Sequence, residues 1–202
     1  MRIQDLANID GANRLRLALG LDEDQVSKIQ TLVSSMAGAN PHIKETYVGK
    51  SAPGVSFYDF KNNKLGIGHK SSDVLAHEMG HAVSLANAGD FYKGLLRASK
   101  RASRISNALA LPVSTFIGLN PKMTKDQKSK ALDIAAGISA AITVPNLYEE
   151  LKASGSAIYH SPTKLRTGAA MVPGIVSHSL NDLTAPTTYY LSKKLLGDDN
   201  ND

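Results

Sequence analysis

Ser71-Ser72-Asp73-Val74-Leu75-Ala76-His77-Glu78-Met79-Gly80-His81-Ala82-Val83-Ser84-Leu85-Ala86 is the stretch on which the reading of this chain turns. Ser71, Ser72 and Asp73 are residues that cap a helix N-terminus, and the apolar positions after them recur at helical spacing. A helix is therefore predicted from about Val74 to Ala88, inside a segment 72–89 that Gly89 closes. Within it, His77, Glu78 and His81 spell H-E-x-x-H. At 3.6 residues per turn His77 and His81 share one face, so both imidazoles can reach one ion. Glu78 lies about 100° round the helix, beside that ion, where a carboxylate can take a proton from an attacking water. With six His and five Glu in 202 residues, random placement yields the pattern roughly 0.4% of the time. Gly80 costs about 1 kcal/mol relative to Ala inside a helix, so something must approach the backbone there, either a ligand or a second helix.

Working outward, the chain has no cysteine, which excludes disulfide frameworks and thiolate zinc sites. Any metal must be held by His, Asp or Glu, and a catalytic zinc ion needs a third protein ligand plus one position open to water. An extended third-histidine pattern fails, because Ser84 and Asn87 stand where its glycine and histidine would be. Among the acids after His81, Asp90 and Asp126 read as first-turn helix charges, the latter beside a Thr124 cap. Glu149 and Glu150 follow an uncharged run and are read as the start of a helix. In solvent they would be ordinary N-terminal charges. Driven inward, one of them would need a cation, which a zinc ion supplies.

Asp73 through Val83, followed much later by Glu150-Leu151-Lys152-Ala153-Ser154, resembles gluzincin zinc metallopeptidases of the HtpX and CAAX-prenyl-protease type. It is more similar still to the YugP-type neutral zinc metallopeptidases, whose second motif is a Glu, two residues, then Ala-Ser. The resemblance implies that Glu150, rather than Glu149, is the third zinc ligand with His77 and His81, and that the activity is endopeptidase. It extends to Tyr58-Asp59-Phe60 through Ile67, which is similar to the edge strand that precedes the zinc helix in such enzymes. The match is close over about 30 residues, and family members carry longer membrane-spanning segments than this chain does.

Around that centre the expected fold is mainly α (α+β), one zincin-like domain over 1–202. Helices occupy 1–40, where Val26, Ile29, Val33 and Met36 recur at helical spacing behind Asp22-Glu23-Asp24, and Asn40-Pro41 ends them. A small antiparallel sheet is expected over 42–68, around the turn Lys61-Asn62-Asn63-Lys64. Substrate backbone would add to its edge at Leu65-Gly66-Ile67, with Gly66 and Gly68 allowing close approach. The remainder, 90–197, reads as helical, and 198–202 as an acidic tail. An oxyanion donor is sought after the third ligand, among Tyr148, Tyr159, His160, Arg166 and His178. Tyr159 and His160, two and a half turns beyond Glu150, are the first choice. His69 reads as a turn histidine and Asp73 as a cap.

Three uncharged 15-residue stretches, 105–119, 134–148 and 167–181, are short of the about 20 residues a bilayer span requires and are expected as buried helices. The net charge is +5. Its local source is Lys93, Arg97, Lys100, Arg101 and Arg104, a run without an acid. A cationic helix leading into an apolar hairpin suits a membrane surface or a partner protein through 92–119. No stacking platform or nucleic-acid motif accompanies those charges, which argues against nucleic acid. The N-terminus shows no signal-peptide pattern, so a cytoplasmic setting, peripheral to a membrane at most, is expected. The functional expectation is a zinc-dependent endopeptidase. The competing one is a catalytically silent metalloprotease-fold structural or assembly protein, for example one associated with a membrane or a virion.

Overall fold

The computed structural model describes residues 1–39, 43–49, 55–86, 88–161 and 164–197, with side chains left out at 173–175, 177, 178 and 197. The Asn40-Pro41 stop, the strand start at His42, Asn87, Pro162 and the acidic tail lie outside the described residues. The chain forms two compact units, Met1–Gly89 with Glu149–Ile175, and Asp90–Tyr148 with Val176–Asp202. The architecture is mainly α with one small sheet.

In the first unit, a short 3-10 helix Ile3–Ala7 leads into α1 (Ile9–Leu19) and α2 (Glu23–Ala37). Asn8 caps α1 by accepting from Gly11 N, and Asp22 with Gln25 forms a reciprocal capping box on α2. The predicted stripe Val26, Ile29, Val33 and Met36 is buried. It packs with Leu6, Leu15, Leu65, Ile67, Leu75 and Met79 into one aliphatic core.

The sheet contains β1 (Glu45–Val48), β2 (Phe57–Asp59) and β3 (Lys64–Ile67) in the order β1-β3-β2. β2 and β3 form the expected antiparallel hairpin, with Phe57 opposite Gly66. Its turn is set by Asp59, whose Oδ1 accepts from Lys61 N and Asn62 N, and by Asn63 in the left-handed region at φ 54°.

Two expectations are corrected here. β1 joins β3 in parallel, so the sheet is mixed rather than antiparallel. Alternation by two is the same for both directions and carries no information about them. β3 is therefore the central strand, so Leu65-Gly66-Ile67 has no edge to offer a peptide. The glycine at 66 serves the hairpin: a Cβ there would stand 2.3 Å from the Phe57 ring.

α3 (Ser72–Ala86) follows, with Ser71 Oγ accepting from Asp73 N at its start. Asp73 itself accepts from Thr167 Oγ1 at 2.9 Å.

The second unit is built from α4 (Asp90–Leu119), the first two-thirds of α5 (Lys125–His160), the end of α6 (Lys164–Asp182) and α7 (Thr184–Gly197). Thr124 and Gln127 cap α5 reciprocally, as Thr124 and Asp126 suggested. Asn107 clamps the α6–α7 joint, donating to Asn181 O and accepting from Ala185 N.

Pro112 and Pro145 lie inside α4 and α5. This corrects the reading of Glu149-Glu150 as a helix start: α5 runs through the proline and places both acids in its interior. The second unit buries few large side chains, chiefly Leu96, Leu132 and Tyr189. Ile105, Leu111, Phe116, Ile134 and Val144 are exposed, so the stretches 105–119 and 134–148 are not the buried helices expected; in 167–181, Thr167 and Met171 are buried and Val172 and Leu180 exposed.

Candidate metal centre

The centre belongs to the first unit, where α3 lies against the last third of α5. Spacings of three and four residues bring His77, Gly80, His81 and Ser84 onto one face of α3. The same spacings bring Glu149, Glu150, Ala153, Ser154 and Ala157 onto one face of α5. Contact is closest at Gly80, where a Cβ would stand 2.1 Å from the carbonyl oxygen of Ala153. The glycine that sequence left open between ligand and packing is thus explained by packing. Without it the two helices could not come close enough for their side chains to interlock.

One turn to either side of that contact lie the polar groups. His77 Nε2 is 3.2 Å and His81 Nε2 3.5 Å from the same atom, Glu150 Oε2. The outer nitrogens are held as well. His77 Nδ1 is 3.2 Å from Ser154 Oγ, and His81 Nδ1 is 3.3 Å from Glu149 Oε1. Ser84 Oγ donates to the other oxygen of Glu149 at 3.1 Å. Glu149 is fully buried at 0% exposure, and Glu150 is buried beside it.

In the tautomer in which His81 Nδ1 donates to Glu149, Nε2 of the neutral ring presents a lone pair to Glu150. Two lone pairs facing each other at that distance require a cation. Burial by itself would lower the pKa of His81. The bonds to Glu149 and Glu150, with the charges of Glu150 and Glu78, outweigh burial and raise it to about 9. A proton on the ring is one way to satisfy Glu150, and a metal ion is the other.

The donor set fits a metal. Ligand atoms of His77, His81 and Glu150 lie within 4.8 Å of one another. Two donors each about 2.0–2.2 Å from a tetrahedral zinc ion stand about 3.3–3.5 Å apart; the His81 distance of 3.5 Å falls in that range and the His77 distance of 3.2 Å just below it. Orientation of each ligating imidazole through its far nitrogen is the second layer that such centres need.

Glu78 projects to the side of this group, toward the sheet. Its Oε2 accepts from the backbone N–H of Tyr58 at 2.8 Å, so β2, an edge strand, runs beside the carboxylate. Burial, then the charges of Asp59 and Glu149, push the Tyr58 phenol up to about 12, and its hydroxyl donates to Asn63 Oδ1.

The other predicted residues are placed elsewhere. Nine residues beyond Glu150 is half a turn out of phase and about 14 Å along the helix. Tyr159 accordingly faces outward at 71% exposure, its ring edge-on to His160. The backbone carbonyl of His160 accepts from Ser35 Oγ. Neither residue is brought to the His77–His81–Glu150 group. Tyr148 stacks edge-on with Tyr92 in the second unit. Arg166 lines a small cavity at the start of α3 with Lys28, Ser72 and Asp73. The side chain of His178 lies outside those described, and His69 accepts from Ser71 N, as a turn histidine does.

Sequence reading missed the roles of Glu149, Ser154 and Ser84. Only Ser154 had a signal, the shared spacing: Glu150, Ala153 and Ser154 repeat the i, i+3, i+4 pattern of His77, Gly80 and His81. No family model, curated protein or solved structure matches the chain.

Proposed function

We propose that this chain is a zinc-dependent endopeptidase, with His77, His81 and Glu150 as the metal ligands and Glu78 as the general base. The observation that carries the reading is the meeting of three ligand atoms from two distant segments within 4.8 Å, beside a fourth group, Glu78, that is not among them. When bound, zinc acts as a Lewis acid that polarises a peptide carbonyl and makes water acidic enough to be deprotonated near neutral pH.

The protein's own residues do the rest. Glu149 and Ser154 hold the two rings so that Nε2 of each faces inward. Glu78 receives the proton of the attacking water and passes it to the leaving amine. Its bond from Tyr58 N fixes the carboxylate between helix and strand. β2 is the edge beside Glu78, so an extended peptide that paired with it would bring its backbone alongside that carboxylate.

Glu78→Gln is the decisive variant. It is expected to keep one zinc per chain by metal analysis while casein cleavage falls by a factor of about 10² to 10⁴. Undiminished cleavage by this variant, or cleavage by the parent chain that survives complete removal of metal by a chelator, overturns the reading.

A further inference from the structure

The second unit is built with its apolar side outward. On a projection at about 100° per residue, Phe91, Leu95, Ile105, Leu109 and Phe116 of α4 fall within an arc of about 80°, and all are exposed. The inward arc of the same helix carries Leu96, Ser99, Ser103, Ala110 and Ser114, of which four are small and three are hydroxylic.

α5 repeats the arrangement within this unit. Ile134, Ile138, Val144 and Tyr148 face out, whereas Ser139, Thr143 and Asn146 are buried. The inward hydroxyls are used between helices: Ser106 bonds Ser139, Ser99 donates to Ile142 O, and Ser103 donates to Asp182. In water the hydrophobic effect drives the opposite distribution. Small residues and hydroxyl bonds between helices, with large aliphatic and aromatic groups outside, are how helices pack when their surroundings are hydrocarbon.

Charge identifies the hydrocarbon. Lys93, Arg97, Lys100, Arg101 and Arg104 occupy an arc of about 100° on α4 that adjoins the exposed apolar arc, and no acid lies among them. An apolar stripe bordered by cations is the pattern of a helix lying in a lipid interface, its cations at anionic headgroups. A nucleic acid would satisfy the cations and leave Phe91, Leu109 and Phe116 in water. α5 is also, among the described residues, a helix long and apolar enough to cross a membrane.

We infer that the outer face of the second unit, centred on the exposed apolar arc of α4, is a lipid-binding surface for an anionic phospholipid bilayer. The inference stands apart from the zinc chemistry and is tested without any cleavage assay.

The full chain is floated with large unilamellar vesicles of phosphatidylcholine alone, or of phosphatidylcholine with about one-third phosphatidylglycerol. Partition into the anionic vesicles is expected to exceed partition into neutral ones about tenfold. Changing Ile105, Leu109 and Phe116 together to Asn should abolish flotation. The melting temperature should hold, because these side chains are already exposed. Arg101→Gln with Arg104→Gln should lower binding to anionic vesicles about tenfold and leave the weak neutral binding as it was.

Four results overturn the inference. The chain fails to float, or the triple variant floats as well as its parent. Neutral and anionic vesicles bind equally. Light scattering shows a dimer that the triple variant converts to monomer, with lipid binding absent in both, so that a second copy is what covers this face.

Discussion

The two units solve opposite problems with the same helical material. The first buries Leu6, Leu15, Ile29, Met36, Leu65 and Leu75 and is held by removing them from water. It then admits a buried acid pair, Glu149 and Glu150, only where two imidazoles and a serine answer it. The second buries Ser99, Ser103, Ser114, Ser139 and Thr143 and leaves Phe116 at 71% and Leu111 at 67% exposure. α5 contributes to both, its early turns to the second unit and Glu149 onward to the first. In one unit, polar groups are buried where carboxylates, imidazoles and a serine pair with one another across two helices. In the other, they are buried because helix contacts are made by hydroxyls and small side chains.

The contrast is broken most directly at its glycines. Gly80→Ala sets a Cβ 2.1 Å from the Ala153 carbonyl oxygen, a backbone atom that cannot step aside. Separating the helices is expected to cost about 3 kcal/mol and to withdraw Glu150 and Ser154 from the rings, so that zinc binding is lost with it. Gly137→Ala, in the part of α5 belonging to the second unit, meets nothing within 4 Å and is expected to stabilise by up to about 1 kcal/mol through helix propensity. Denaturant unfolding of the two variants, with metal affinity by dye competition, decides the point. Equal effects would mean that the α3–α5 contact is no tighter than an open helix surface.

How much of this was legible beforehand depends on the range of each interaction. α2 was readable because Asp22, Gln25 and the stripe Val26 to Met36 are all local, and so was the capping at Ser71. The pairing of His77 and His81 on one face of α3 was readable for the same reason, since they lie one turn apart. The direction of β1 was not, because parallel and antiparallel strands share a two-residue period. The helix start read at Glu149-Glu150 was wrong, since α5 runs through Pro145 and past both acids. The three uncharged stretches were assigned to the interior because each is too short for a bilayer span, but length does not say which face of a helix is covered, and Ile105, Leu111 and Phe116 are exposed. Context singled out the Glu149-Glu150 pair, only resemblance chose Glu150 between them, and a buried role for Glu149 as well was not foreseen. Its partners His81 and Ser84 are 68 and 65 residues away along the chain, beyond anything spacing can report.

The next largest effect separates the adjacent acids. Glu150 faces both Nε2 atoms, whereas Glu149 reaches the far side of one ring. Glu150→Gln should therefore abolish measurable zinc binding under conditions where Glu149→Gln weakens it about 10- to 100-fold. Isothermal titration of both variants provides the measure, and the reverse order would exchange their roles. Ser154→Ala, which removes the hydroxyl 3.2 Å from His77 Nδ1, should have a smaller effect than Glu149→Gln, because a neutral hydroxyl holds a ring less firmly than a carboxylate does.

The smallest effect is the most local, and it concerns the proton that takes the place of metal. His81 has a folded pKa of about 9 against an ordinary 6.5, so the stability it contributes to the metal-free protein is complete below about pH 6.5. That contribution is lost as pH rises through about 9. Zinc must displace this proton, so its affinity should climb up to about tenfold per pH unit between pH 6.5 and 9 and level off above. Glu149→Gln, which removes the first of the bonds that raise the pKa, should flatten both curves. Hydrogen exchange on the chelated protein locates the effect. Protection of α3 amides should fall between pH 7 and 9.5, after correction for intrinsic exchange, while that of α4 and α7 stays level. A decline shared by α4 would show that the two units unfold as one, and that the ion pair at His81 secures the whole chain.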